Sequence, residues 1–231
     1  MISHKYKCIF IHIPRCGGSS IEDIIWPGKR KTEDLWMGFV SKYHNKYQTG
    51  GLQHLFGKHV EIEVGHKIFS EYFKFSFVRN PWDRAVSQFH FMKRRPDLRE
   101  FIGLRLDDPF RKYLDLIRKK RHVQWEEQHK FIMNDHGEFL VDFQGRFENY
   151  KQDVGFVLEK LGLSGKAVPH VNRTPHSAYQ EYYDEESMEI VRLLYKRDIA
   201  LFGYSFSPNS ADVVSHARSA SDCTTESHEP E

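Results

Sequence analysis

Two short segments of this 231-residue chain carry the residue types that hold phosphate. The first is Arg15-Cys16-Gly17-Gly18-Ser19-Ser20; the second, about sixty residues on, contains Arg79 and Ser87. Glycines let backbone N–H groups come close to an anion, hydroxyls donate to it, and a guanidinium adds fixed charge in a planar fork. The first segment runs apolar from Cys8 to Ile13, breaks at Pro14, and enters Ser19-Ser20-Ile21-Glu22-Asp23-Ile24-Ile25 with helical apolar spacing. This pattern predicts a strand, a tight turn and a helix start, whose first N–H groups have no intrahelical partner and sit at the positive end of the dipole. In the second segment Lys74 to Val78 reads as a strand, Asn80 as an N-cap and Pro81 as the first helical residue, followed by Trp82, Ala85, Val86 and Phe89. Arg79 then stands at the strand end with Ser87 eight residues later, two helical turns on, a pair suited to a phosphate monoester. Two such corners can hold two separate phosphates of one nucleotide.

The loop is not a Walker A sequence. Gly-Lys followed by Ser or Thr is missing there, so neither the lysine for the outer phosphates nor the hydroxyl for magnesium is assigned, which disfavours a nucleoside triphosphatase.

Three later stretches join the two corners: Gly145-Arg146-Phe147-Glu148-Asn149, Pro169-His170-Val171-Asn172-Arg173-Thr174, and Asp198 through Tyr204. In this order, over residues 7–204, the motifs resemble the sulfotransferases that use 3′-phosphoadenosine 5′-phosphosulfate (PAPS), in the branch that includes many carbohydrate sulfotransferases. The resemblance implies sulfuryl transfer from PAPS to an acceptor hydroxyl, with a carbohydrate as the expected acceptor and no metal. It places the 5′-phosphosulfate on Arg15, Cys16, Gly17, Gly18, Ser19 and Ser20, and the 3′-phosphate on Arg79 and Ser87; Arg173 reads either as a further contact to the 3′-phosphate or as a solvent-facing loop residue. Arg15 stands where the family usually has lysine, and its implied role is to stabilise the leaving phosphate; arginine keeps the charge but not the shape. Cys16 stands where a small hydroxyl residue is common and reads as a space-filling thiol. For the base the family uses a histidine, or sometimes a carboxylate, between the two nucleotide motifs. His44, His54, His59 and His66 fall in that interval. Lys58-His59 lies twenty residues before Arg79, the family's spacing, which puts His59 first, His66 second, and His54 or a carboxylate behind them.

The elements needed to position these residues are legible in outline. Helical spacing covers 108–120 and 123–133, alternation marks a strand at 139–143, a helix runs over 150–161 to Gly162, and another over 185–197 opens at Asp184. Glu148 reads as a structural carboxylate paired with Arg146 or another basic residue. Strands interleaved with helices imply an α/β fold, a mostly parallel sheet covered on both faces, P-loop-like by the resemblance and a single domain. Residues 29–58 read as helical pieces and a loop beside the acceptor cleft. The catalytic domain is expected over 1–206, with 207–231 a disordered tail rich in Ser, Thr, Asp, Glu and His.

Composition adds bounds. With 39% hydrophobic and 14% aromatic residues the chain is globular, and a net charge of +2 gives no reason to expect a nucleic-acid partner. Two basic clusters, Lys93-Arg94-Arg95 and Arg118-Lys119-Lys120-Arg121, read either as solvated helix faces or as a track for an acidic glycan. Three cysteines, an odd number, show no disulfide framework. No apolar run reaches the length of a membrane span and the first strand begins almost at once, so the expectation is a cytoplasmic protein or one lacking its anchor. Rival readings are an atypical small-molecule kinase and a non-catalytic nucleotide- or polyanion-binding protein.

Overall fold

The computed structural model describes residues 1–28, 34–35, 52–166, 178–207 and 216–217. Its elements in chain order are β1 (Ile2–Ser3), β2 (Cys8–Ile11), α1 (Gly18–Ile25), α2 (Gly57–Val64), α3 (His66–Glu71), β3 (Phe73–Val78) and α4 (Pro81–Met92). Then follow α5 (Pro96–Ile102), α6 (Phe110–Ile117), α7 (His129–Ile132), β4 (Phe143–Arg146), α8 (Tyr150–Lys160), α9 (Glu185–Leu194), α10 (Lys196–Phe202) and β5 (His216–Ala217).

The strands form one sheet in sequence order, β2, β3 and β4 parallel and the short edge strands β1 and β5 antiparallel. Parallel strands are buried on both faces: β2 reads as an unbroken apolar run, whereas β3 interleaves Lys74 and Ser76 with its apolar residues and is buried from Lys74 onward all the same. Register places Phe10 beside Phe75 and Phe75 beside Phe143. The Phe10 and Phe75 rings stack with centroids 5.0 Å apart. The one hydroxyl buried in β3, Ser76, donates to the Ile11 carbonyl at 2.7 Å, so its polar atom is satisfied. Since β2 and β3 run side by side in the same direction, their carboxyl ends open together, and the two phosphate-type corners are neighbours.

Two helix starts follow the sequence closely. Asn80 accepts from Trp82 N at 3.0 Å with Pro81 at the first position of α4, and Asp184 forms a capping box with Ser187 on α9. Elsewhere tertiary contacts overrule periodicity. The stretch 123–133 is a 3₁₀ turn at Val123–Trp125 and the separate short helix α7, because the backbone N–H groups of Gln128 and His129 turn to the buried Asp198 carboxylate. The strand expected at 139–143 lies later, at Phe143–Arg146: Phe139 is spent on an isolated bridge to Met133, and Asp142 accepts from Lys74 N at 2.7 Å with its carboxylate. The helix expected over 185–197 breaks at Tyr195, whose hydroxyl donates to the Trp125 carbonyl at 2.9 Å, and restarts as α10. In the expected tail, His216–Ala217 pairs with Phe143 and Gln144 of β4 at the sheet edge. Of residues 29–58, 29–33 and 36–51 lie outside the described residues; 52–54 form a 3₁₀ turn. No described helix is long and apolar enough to cross a membrane.

Candidate active site

The chain leaves β2 through His12, Ile13 and Pro14 and turns in two left-handed steps, Arg15 at φ 68° and Gly17 at φ 85°, before α1 begins at Gly18. Arginine in this conformation is uncommon and is held by its surroundings. The glycines are required by what lies against the loop. A Cβ on Gly17 would fall inside 3.0 Å of the Tyr150 ring, and one on Gly18 inside 3.0 Å of the His12 ring. The Tyr150 hydroxyl donates to the Gly17 carbonyl at 2.6 Å and also hydrogen-bonds with Ser20. Ser20 is therefore buried and faces Tyr150, whereas Ser19 is only half-buried at the first turn of α1. Cys16 also turns inward. Its Sγ lies 3.3 Å from Gln128 Oε1, and burial pushes the thiol up to about 12, which fits the space-filling reading.

The second corner meets the first directly. Arg15 donates from Nε and Nη2 to the Ser87 hydroxyl at 3.2 and 3.0 Å, and its guanidinium lies over the Phe91 ring with the centroid 4.8 Å away. Arg79 donates from Nε to Asp83 at 2.8 Å and from Nη1 to the Arg15 carbonyl at 3.1 Å, and lies 4.0 Å from the Phe147 ring centroid. Burial first, then the charges of Arg79, Arg94 and Arg84, lower the Arg15 guanidinium to about 10.

Four further residues hold the corners together, and none was picked out as a site residue from the sequence. Gln128, fully buried, accepts from Arg79 N and donates to Arg79 O, both at 2.8 Å, while its own N–H donates to Asp198 at 2.6 Å. Arg84 donates from Nε to the Pro14 carbonyl at 3.0 Å and from Nη1 to the Glu126 carbonyl at 2.8 Å, tying the loop to the segment before α7. Glu148 accepts from Asn80 N at 2.6 Å, at the start of α4, and from the Tyr204 hydroxyl at 3.1 Å, a structural role as expected. Arg84, Glu148 and Asp198 lie inside the motifs already noted, which was the available signal; Gln128 had none.

The candidate bases separate by environment. His59, on α2, is half-buried, stacks on Phe56 with centroids 5.3 Å apart, and is held below its usual range by burial and then by Lys58. His66 is exposed and its Nδ1 pairs with Glu61 at 2.9 Å. His54 is buried against β2, its Nδ1 3.1 Å from the His12 carbonyl and its ring 4.7 Å from that of His12. Burial and His12 hold His54 well below its usual range. His12 in turn lies 2.6 Å from the buried Glu22 carboxylate, beneath Gly18. His44 and Arg173 lie outside the described residues. Among the described residues no group of three or more His, Cys, Asp or Glu side chains could hold a metal ion.

Comparison with known proteins gives one family match: the model described as "Sulfotransferase family" matches residues 1–205. An uncharacterized protein of Archaeoglobus fulgidus is 29% identical over 130 residues, covering 53% of this chain and 94% of its own. Carbohydrate sulfotransferase 10 of Danio rerio is 23% identical over 245 residues, 88% of this chain and 65% of that protein, so the chain spans somewhat less than two thirds of that relative. A crystal structure of a mouse sulfotransferase complexed with PAP aligns with a TM-score of 0.41 at 16% identity, covering 90% of this chain and 70% of that one.

Proposed function

Starting from the fact that the chain belongs to the sulfotransferase family, we propose that it transfers the sulfuryl group of PAPS to an acceptor hydroxyl, and that the acceptor is a carbohydrate. The observation that carries this reading is the meeting of Arg15, Arg79 and Ser87 at the carboxyl ends of two parallel strands, where mutual repulsion among arginines favours a bound anion. PAPS supplies an activated sulfuryl group whose leaving group is a phosphate. The residues of the chain do the rest. The N–H groups at the start of α1 and the half-buried Ser19 receive the 5′ side of the nucleotide, and the arginines and Ser87 receive the 3′ side. His59 takes the acceptor proton; its lowered affinity for protons keeps the imidazole neutral and ready to accept near neutral pH. Lys93 and Arg94, exposed after α4, with Arg94 close enough to act on Arg15, suit an acidic glycan.

Thermal denaturation tests the reading. Adenosine 3′,5′-bisphosphate at a hundred times its Kd should stabilise the protein by about 2.7 kcal/mol, and ATP with magnesium should not. Transfer of label from PAPS to a panel of acidic and neutral glycans then identifies the acceptor class. Stabilisation by magnesium-ATP alone would point to a kinase, and no response to either nucleotide would remove the nucleotide reading.

A further inference from the structure

We infer that Arg15 is the second cation of the 3′-phosphate subsite and, with it, a determinant of the preference for a 3′,5′-bisphosphorylated adenosine over a 5′-monophosphate. This assignment rests on the proposed function for the identity of the nucleotide. It departs from the role that the loop position implies, in which the cation serves the 5′ side.

The geometry turns on Ser87. Its hydroxyl receives two donors from Arg15, Nε at 3.2 Å and Nη2 at 3.0 Å, and no other described side chain bonds to it. Arg79, the cation expected there, is largely committed elsewhere. Its Nε is held by Asp83, its Nη1 by the Arg15 carbonyl and its face by Phe147, which leaves Nη2 as its guanidinium nitrogen without a partner among the described residues. A phosphate seated on the Ser87 hydroxyl therefore meets the Arg15 fork that already bonds it. The left-handed backbone at Arg15 sends its side chain across to α4, where the planar guanidinium rests on Phe91. A lysine has neither the flat face for that ring nor the second nitrogen for a fork, so the arginine at this position has a use that the usual residue lacks. Charge agrees with geometry: Asp83 is the carboxylate paired with Arg79, while Arg15 faces the further positive charges of Arg79, Arg94 and Arg84. The 5′ side then depends on the backbone amides at the start of α1 and on Ser19.

Isothermal titration of adenosine 3′,5′-bisphosphate and adenosine 5′-phosphate into the wild type, Arg15→Ala and Arg15→Lys tests the assignment. Arg15→Ala should weaken the bisphosphate roughly 10- to 100-fold, the worth of a charge-assisted contact, and the monophosphate by less than about threefold. Arg15→Lys should fall between, since it keeps the charge and loses the fork. If melting without ligand shows that Arg15→Ala is unfolded, Arg15→Gln, which keeps a planar donor, should show the same selective loss. Equal weakening of both nucleotides, or weakening of the monophosphate alone, would return Arg15 to the 5′ side and overturn the inference. A wild type that binds both nucleotides alike would overturn the nucleotide reading itself, and the inference with it.

Discussion

Gln128→Met should separate the two corners while keeping side-chain volume. In the native protein the Gln128 amide satisfies the Arg79 backbone N–H and carbonyl, each at 2.8 Å, and receives the Cys16 thiol at 3.3 Å. Methionine can satisfy neither backbone group, and both are buried at the end of β3. Each orphaned group costs about 1–3 kcal/mol, so the loss is roughly 2–5 kcal/mol after some recovery from the apolar side chain. For a protein of this length, that corresponds to a fall in Tm of roughly 5–15 °C. Urea unfolding followed by fluorescence of the four tryptophans measures the stability change. Titration of adenosine 3′,5′-bisphosphate measures the second effect, because the freed strand end carries Arg79 out of register with the loop. A change below about 0.5 kcal/mol, with nucleotide affinity intact, would show that Gln128 does not clamp the site.

Gly18→Ala pushes a methyl group against the His12 ring and should cost about 1–3 kcal/mol of stability and weaken nucleotide binding; a melting curve like that of the wild type would count against the close packing. His59→Ala should lower kcat about a hundredfold or more with bisphosphate affinity within a few-fold, and the acid limb of the wild-type pH profile should lie below the ordinary histidine value of 6.5, because burial and Lys58 hold the imidazole neutral there. A limb at or above that value, or full turnover in the variant, would remove His59 as the base. His54 has its folded-state value well below 6.5, so as pH falls through that value the unfolded chain binds the proton first. Stability should therefore decline below pH 6.5, by up to about 1.4 kcal/mol per pH unit from this residue, with no contribution above it. His54→Asn should flatten the slope of urea midpoints between about pH 7 and about pH 5; an unchanged slope would assign the effect to other groups.

What could be read in advance was whatever is encoded over one or two turns of chain. The Asn80 cap with Pro81, the Asp184 cap and the strand–loop–helix at Arg15 to Ser20 each depend on neighbours within a few residues, and each is present. The α/β architecture followed from the same local alternation of strands and helices. Elements whose boundaries depend on distant partners were misplaced. The segment 123–133 has helical spacing, yet Asp198, seventy residues from Gln128, claims the N–H groups of Gln128 and His129 and divides it. The beginning of β4 depends on Asp142, which bonds to Lys74 across 68 residues. At the site the residue types were legible but their grouping was not: Arg15 and Ser87 were assigned to different phosphates and stand in contact across a separation of 72 residues. Gln128 illustrates the limit best. An isolated glutamine before a short helix has no periodic or motif signature, and only the backbone it serves reveals its use.

The cap of α4 is completed late. Asn80 accepts the Trp82 N–H locally, but its own amide nitrogen donates to the carbonyl of Ser205, 125 residues further along, and its backbone N–H is held by Glu148. During synthesis at about 5–20 residues per second, a ribosome needs roughly 6–25 s to travel from the first of these partners to the last. Through that interval the helix that presents Ser87 has its local cap, can gain Glu148 partway, and still lacks the Ser205 contact. The corner that carries Ser87 accordingly reaches its full set of contacts only after residue 205 has cleared the exit tunnel.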